Sequence, residues 1–274
     1  MKSPLRRLGL VGCGAIGRTL ALQLVKKKSP FRVTAVWDQN PAAARELSTL
    51  LKPAPHCCSS LSDLVRRSDF VLEAASQAAA ILAAEAALRA RKPVMLLSTG
   101  GFFLQAGRLT ALARKNRTKL YLPSGAVAGM DALKAARQIG RLRSVTITSS
   151  KPPQGFKGAP GLTPDQVRQL AELQKPLALY EGPVEGALKR FPANVNVSAT
   201  TALASHPTKV QVRVVADPAA TRNRHEIRAE GDFGTLTAVT ENLPSKLNPK
   251  TSALAVQSAL ALLERLGDFV EVGS

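Results

Sequence analysis

The chain has 274 residues, with 38 lysines and arginines against 19 aspartates and glutamates, for a net charge of +19. That length allows one or two domains and a core that needs no disulfide or metal staple. At 45% hydrophobic and 21% charged residues, the composition excludes wholesale disorder, collagen-like repeats and coiled coil.

The first apolar run, Leu8–Val11, ends at Gly12. It is shorter than the ~7 residues of a signal-sequence core, so it reads as a buried strand entering a turn. From there to Leu122 short aliphatic runs alternate with longer helical stretches. Strands are predicted at Leu8–Val11, Val33–Trp37, Phe70–Glu73, Val94–Leu97 and Lys119–Leu122, and helices at Ala15–Lys27, Pro41–Leu51, Gln77–Ala90 and Phe103–Lys115. Strands that are apolar throughout and separated by helices predict a parallel sheet covered on both faces, a doubly wound α/β domain of Rossmann type.

The run Gly12-Cys13-Gly14-Ala15-Ile16-Gly17 follows the first strand and opens the first helix, which is the context a GxGxxG dinucleotide fingerprint requires. Gly12 permits the tight turn, Gly14 lets backbone approach a pyrophosphate, and Gly17 lets the helix close on the strand. The amides of Ala15 and Ile16 belong to the helix N-terminus that favours an anion. Asp38 ends the second strand at the fingerprint's distance, about 20 residues on. There it either accepts an adenosine ribose, favouring NAD over NADP, or serves as a solvated turn residue before Asn40-Pro41. Ser98-Thr99-Gly100-Gly101 and Ser124-Gly125-Ala126 each follow a strand at its carboxyl end, where they line a nicotinamide or are ordinary small-residue turns.

Beyond the first domain, predicted at residues 1–122, the rhythm changes. Lys151–Pro164 is rich in Pro and Gly and is expected to be irregular. Strands at Val210–Ala216, Glu226–Ala229 and Leu236–Val239 read as an antiparallel sheet in a second domain, 123–249. A final amphipathic helix is predicted over Thr251–Leu266, capped by Asn248 with Pro249 at its first position, so that residues from about 250 to 274 complete the first domain. Ser245, Asn248, Lys250 and Thr251 then gather at one helix N-terminus, a carboxylate site or simple capping.

Of the three histidines, His56 beside Cys57 and Cys58 lacks partners at metal-site spacing and no metal is expected. His206 reads as solvated. His225 starts a second-domain strand and on position alone is an edge histidine. The three cysteines form no disulfide framework and suit a reducing, cytoplasmic location. No apolar run nears the ~20 residues of a membrane helix.

Together, Gly12–Gly17, Ser124-Gly125-Ala126, Lys189-Arg190-Phe191-Pro192-Ala193-Asn194-Val195-Asn196, the His225 strand followed by Gly231-Asp232-Phe233-Gly234, and Asn248-Pro249-Lys250-Thr251-Ser252 resemble the L-aspartate dehydrogenase family, in its order and across nearly the whole chain. The resemblance implies oxidation of L-aspartate to iminoaspartate by NAD or NADP. The imine then feeds NAD biosynthesis through quinolinate, or hydrolyses to oxaloacetate and ammonia. It also implies that His225 is catalytic, that Ala126 and Asn196 bind the cofactor, that Asn194 lies on the substrate side, and that the second domain carries the substrate site and the contacts of a homodimer. Ser98 joins the cofactor residues. Ser245, Asn248, Lys250 and Thr251 are candidate ligands for the substrate carboxylates. One segment departs from the family's pattern: Ser98-Thr99-Gly100-Gly101-Phe102 stands where an SVGA-like run is expected.

Two other readings compete. One is another dehydrogenase or reductase of the aspartate pathway, acting on homoserine or dihydrodipicolinate. The other is a nucleic-acid-binding or nucleotide-sensing protein, because residues 1–122 hold 20 basic against 6 acidic side chains. Aromatic residues at 4% leave few stacking platforms, and there is no helix-turn-helix, zinc or RNA-recognition signature, so no specific nucleic acid is expected.

Overall fold

Short apolar strands alternating with helices pair in parallel through the first part of the chain. They are β1 (Arg6–Val11), β2 (Phe31–Trp37), β3 (His56–Cys57), β4 (Phe70–Glu73), β5 (Val94–Leu96) and β6 (Leu120–Tyr121). Helices α1 (Ala15–Lys26), α2 (Pro41–Leu50), α3 (Leu61–Arg67), α4 (Gln77–Arg89), α5 (Thr99–Leu104) and α6 (Ala106–Lys115) connect them. The sheet order is β3-β2-β1-β4-β5-β6 with parallel ladders throughout, the doubly wound order that reverses beside β1. The computed structural model describes residues 6–27, 29–192, 195–245, 248–270 and 272, and leaves out the side chains of 244, 245 and 248–251.

The second part contains α7 (Met130–Ala136), β7 (Leu142–Lys151), α8 (Pro164–Ala171), β8 (Leu177–Pro183), α9 (Val184–Arg190), α10 (Asn196–Ser205), β9 (Val210–Ala216), β10 (Asn223–Gly231), β11 (Gly234–Asn242), β12 (Pro244–Ser245), β13 (Asn248–Ser252) and α11 (Ala253–Arg265). The expected three-stranded antiparallel sheet is a five-stranded mixed one, β11-β10-β7-β9-β8, in which β7 and β9 run parallel. β7 and β8 escape a pattern reading because Ser, Thr, Gly and Pro interrupt their apolar positions, yet burial alternates along β7 at Val145, Ile147, Ser149 and Lys151. The segment after Lys151 is also not wholly irregular. Pro153–Phe156 forms a 3-10 turn that drives Phe156 into the core edge-on to Phe191, with ring centroids 6.0 Å apart.

Three further boundaries move. Ser98–Gly101 is not a turn, because α5 begins at Thr99 and breaks from α6 at Gln105. His56–Cys57, for which no strand was predicted, adds the edge strand β3. Asn248 does not cap the last helix: Asn248–Ser252 is a strand that pairs with Pro244–Ser245, and the helix starts at Ala253, whose N–H donates to the Leu243 carbonyl at 3.1 Å.

Two compact units result. One runs to Pro123 and takes up the chain again from Val256, and the other runs from Ser124 to Ala255. In the first, Leu8, Leu10, Leu20, Val36, Phe70 and Leu72 pack in one core with Val256, Leu260 and Leu263 of α11. Among the described residues no helix is long and apolar enough to cross a membrane.

Candidate active site

The first unit builds its turn from three glycines with three different constraints. Gly12 adopts a φ of +94°, and a Cβ there would lie 2.7 Å from the Ala74 carbonyl oxygen. A Cβ on Gly17 would lie 1.9 Å from the Gly12 carbonyl oxygen, so only glycine lets α1 sit this close to β1. Gly14 is the reverse case: it caps α1 with ordinary φ, and a Cβ would meet nothing within 4 Å. No side chain caps the helix and no acidic residue lies in its first turn. The amides of Ala15, Ile16 and Gly17 thus form a helix N-terminus open to an anion. At the end of β2 the Asp38 carboxylate accepts the Cys13 N–H at 2.7 Å and the Asn40 N–H at 2.8 Å, which fixes it beside the turn. The open cradle at Gly14, the uncapped helix and the fixed Asp38 carboxylate fit a dinucleotide, its pyrophosphate on the amides and a ribose on Asp38.

Ser98 is buried at the N-terminus of α5. Its Oγ donates to Glu73 Oε1 at 2.8 Å and its N–H to Glu73 Oε2 at 3.2 Å, while the Ala75 N–H donates to Oε1 at 2.7 Å. Glu73, fully buried at the end of β4, was not expected as a site residue, and burial raises its pKa. It ties together the chain leaving β4 and the chain leaving β5, at the carboxyl edge where such sheets bind ligands.

His56, Cys58 and Asp63 bring their ligand atoms within 4.8 Å of one another, closer than the sequence spacing suggested. Their chemistry does not favour a cation. Asp63 already binds Arg66 and Arg67, whose charges oppose a metal ion, and burial pushes the Cys58 thiol up to about 11.

In the second unit one face of the sheet changes character along its length. Val145, Ile147, Ile227 and Ala229 are apolar and buried, and the next inward positions are Ser149, Lys151, His225 and Asn223, also buried. His225 is not an edge histidine: β10 lies between β7 and β11, and the side chain is only 3% exposed. It stands opposite Ser149 on β7 and Thr240 on β11. Ser149 Oγ lies 2.9 Å from His225 Nδ1 and fixes the ring. Burial first, and Lys151 second, push the His225 pKa down to about 3. The ring is neutral at pH 7 and can take a proton.

Ala126 joins the same region through its carbonyl, which accepts Thr240 Oγ1 at 2.8 Å and Asn242 Nδ2 at 3.0 Å. Asn196 opens α10, and its carbonyl accepts the Thr200 hydroxyl at 3.1 Å. Asn194 lies outside the described residues. So do the side chains of Ser245, Asn248, Lys250 and Thr251, whose backbone belongs to the β12–β13 hairpin and not to a helix N-terminus. His206 is exposed, as read from the sequence. The sequence reading missed Ser149, Lys151, Thr240 and Asn242. Their signal is parity, since each falls two or four residues along a strand from a buried apolar position or from another polar site position.

Residues 131–266 match the family model described as aspartate dehydrogenase, C-terminal, and residues 12–123 match that of the homoserine dehydrogenase NAD binding domain. The chain is 41% identical over 271 residues to the L-aspartate dehydrogenase of Methanosarcina barkeri, covering 98% of this chain and 99% of that one. It is 40% identical over 273 residues to the L-aspartate dehydrogenase of Methanocella arvoryzae, with the same coverage. Among solved structures, aspartate dehydrogenase from Thermotoga maritima superposes with a TM-score of 0.74 at 26% identity, over 98% of this chain and 99% of that one.

Proposed function

The chain belongs to the L-aspartate dehydrogenase family, and from that premise we propose that it oxidises L-aspartate to iminoaspartate with NAD or NADP, using His225 as the base. The observation that carries the reading is the buried His225, neutral and held by Ser149 in a polar patch on an otherwise apolar sheet face.

When bound, the nicotinamide supplies the acceptor for the hydride that leaves the substrate α-carbon. The chain's own residues do the rest. Gly12, Gly14, Ala15, Ile16 and Gly17 hold the pyrophosphate, and Asp38 takes the adenosine ribose. Ser98, Ala126 and Asn196 complete the cofactor contacts, with Glu73 fixing Ser98 in place. His225 takes the proton that the substrate ammonium sheds as the imine forms, or activates the water that attacks the imine afterwards. Asn194 and the hairpin residues Ser245, Asn248, Lys250 and Thr251 remain candidates for the substrate carboxylates on the family resemblance. The Asp38 charge disfavours a 2′-phosphate, which supports NAD as the preferred partner.

The finer reading is a cytoplasmic homodimer whose product feeds NAD biosynthesis through quinolinate or hydrolyses to oxaloacetate and ammonia. The few cysteines and the family resemblance support it. Initial rates with L-aspartate against NAD and NADP, beside homoserine and dihydrodipicolinate, test substrate and cofactor together. Reduction of NAD by aspartate alone is expected, and activity confined to another member of the panel overturns the reading. Light scattering during gel filtration tests the dimer.

A further inference from the structure

Glu73 is fully buried at the end of β4, and the proton transfer described above makes no use of its charge. A carboxylate in such a place is costly unless donors surround it. Here they do. Oε1 accepts the Ala75 N–H at 2.7 Å and the Ser98 hydroxyl at 2.8 Å, Oε2 accepts the Ser98 N–H at 3.2 Å, and the Ser76 N–H also donates to the carboxylate. Three of these donors are backbone N–H groups, which cannot reverse to accept a proton from a carboxylic acid, so the arrangement holds the ionised form against the cost of burial. Ser76 is also the N-cap of α4, whose positive end favours the same charge. Among the described residues no lysine or arginine pairs with Glu73, and the groups that act on it are N–H and O–H dipoles.

The sheet order decides which half of a dinucleotide meets this charge. Asp38, after β2, stands on one side of the Gly12 turn, and Glu73 and Ser98, at β4 and after β5, stand on the other. A cofactor with its pyrophosphate on the turn and its adenosine ribose on Asp38 therefore extends its nicotinamide half over the β4 and β5 side. The segments there are close-packed. A Cβ on Gly12 would lie 2.7 Å from the Ala74 carbonyl oxygen, and a Cβ on Gly101 of α5 would lie 2.3 Å from the Gln77 carbonyl oxygen. Glu73 cannot turn out toward water without moving these segments, so its charge is fixed in place.

The two forms of the cofactor differ in charge in that half: the oxidised nicotinamide ring is a cation, and uptake of a hydride makes it neutral. We propose that Glu73 is the residue that distinguishes oxidised from reduced cofactor: its fixed, buried carboxylate attracts the nicotinamide cation, which favours capture of the oxidised form and release of the reduced one. It acts through its charge, because its hydrogen bonds are taken up by the chain, and it is a specificity-determining residue and not a catalytic one. A charge in a buried setting is felt over a longer distance than one in water. The inference rests on the pyridine-nucleotide reading above and is independent of aspartate being the substrate.

Calorimetric titration of the full-length protein with NAD, NADH and ADP-ribose, which lacks the nicotinamide, reads the effect without turnover. In Glu73→Gln the ratio of the NAD dissociation constant to that of NADH should rise at least about fivefold, on the order expected when one fixed charge stops acting on another. ADP-ribose affinity should change only as far as NADH affinity does. Glu73→Asp keeps the charge, and Ser98→Ala keeps it with one hydrogen bond fewer, so both should leave the ratio within about twofold of the parent protein while their affinities fall together. Circular dichroism checks that the variants fold. Glu73→Gln/Ser98→Ala removes the hydroxyl donor that the glutamine amide faces, and it supplies an uncharged site should the single variant not fold. Equal weakening of NAD and NADH in the uncharged variants, or the same shift of the ratio in Ser98→Ala, overturns the assignment while the cofactor reading stands. If the parent protein binds neither form of NAD or NADP, both fall.

Discussion

His225 is almost wholly buried, and Ser149 Oγ lies within hydrogen-bond distance of its Nδ1. Burial holds the imidazole neutral across the physiological range, the form that can accept a proton, while the same lowered pKa makes it a weaker base than a free histidine. The same burial has a measurable cost in acid. Its folded pKa of about 3 lies below the ordinary 6.5, so the stability it contributes is present above about pH 6.5 and is lost as pH falls toward 3. Glu73 has the opposite sign. Its folded pKa is raised, so its contribution is present at low pH and is lost as pH rises through that value. His225→Gln is expected to flatten the loss of stability between about pH 6.5 and 4 relative to the parent protein, by on the order of a few kcal/mol at the acid end, read as a shallower fall of Tm. Parallel Tm curves for the two proteins would show that His225 does not have to be charged on unfolding in acid.

The elements explain why the two units differ in how readable they are. In the first, Leu8, Leu10, Phe70 and Leu72 make strands apolar on both faces, and Gly12, Gly14 and Gly17 punctuate them, so local pattern and tertiary structure agree. The second unit hides its central strand. β7 reads Leu-Arg-Ser-Val-Thr-Ile-Thr-Ser-Ser-Lys, and its last inward positions are Ser149 and Lys151, whose polarity erases the alternation that would announce the strand. Asn248-Pro249 carries a valid helix-start signal, which pairing with Pro244–Ser245 overrides. The glycine turn offers the sharpest test at this scale, because its positions separate fold from ligand. Gly14→Ala places a methyl group in open space, so Tm should move by no more than the few degrees that about 1 kcal/mol produces, while NADH affinity falls at least about tenfold. Gly17→Ala forces a Cβ to 1.9 Å from the Gly12 carbonyl oxygen and should destabilise the fold itself, visible as a lower Tm without cofactor. Equal losses of stability in the two variants would contradict the division of roles.

For the whole molecule, the +19 charge first suggested a polyanionic partner, and 20 basic against 6 acidic residues in 1–122 sharpened that suggestion. A dinucleotide and a dicarboxylate are themselves anions, so a basic field serves their capture without a nucleic acid. It follows that kcat/KM for aspartate should fall several-fold as salt rises through the physiological range while kcat changes little. A salt-insensitive kcat/KM would make the surplus charge a matter of solubility, and retention on heparin at high salt without aspartate oxidation would return the nucleic-acid reading. The central claim is narrower: one neutral, buried histidine carries the proton in the oxidation of L-aspartate. Initial rates with L-aspartate and NAD, measured with NADH affinity for the parent protein and His225→Ala, test it most directly. The account predicts that His225→Ala binds NADH as the parent does and loses about 100-fold or more in kcat; near-normal turnover in that variant would contradict it.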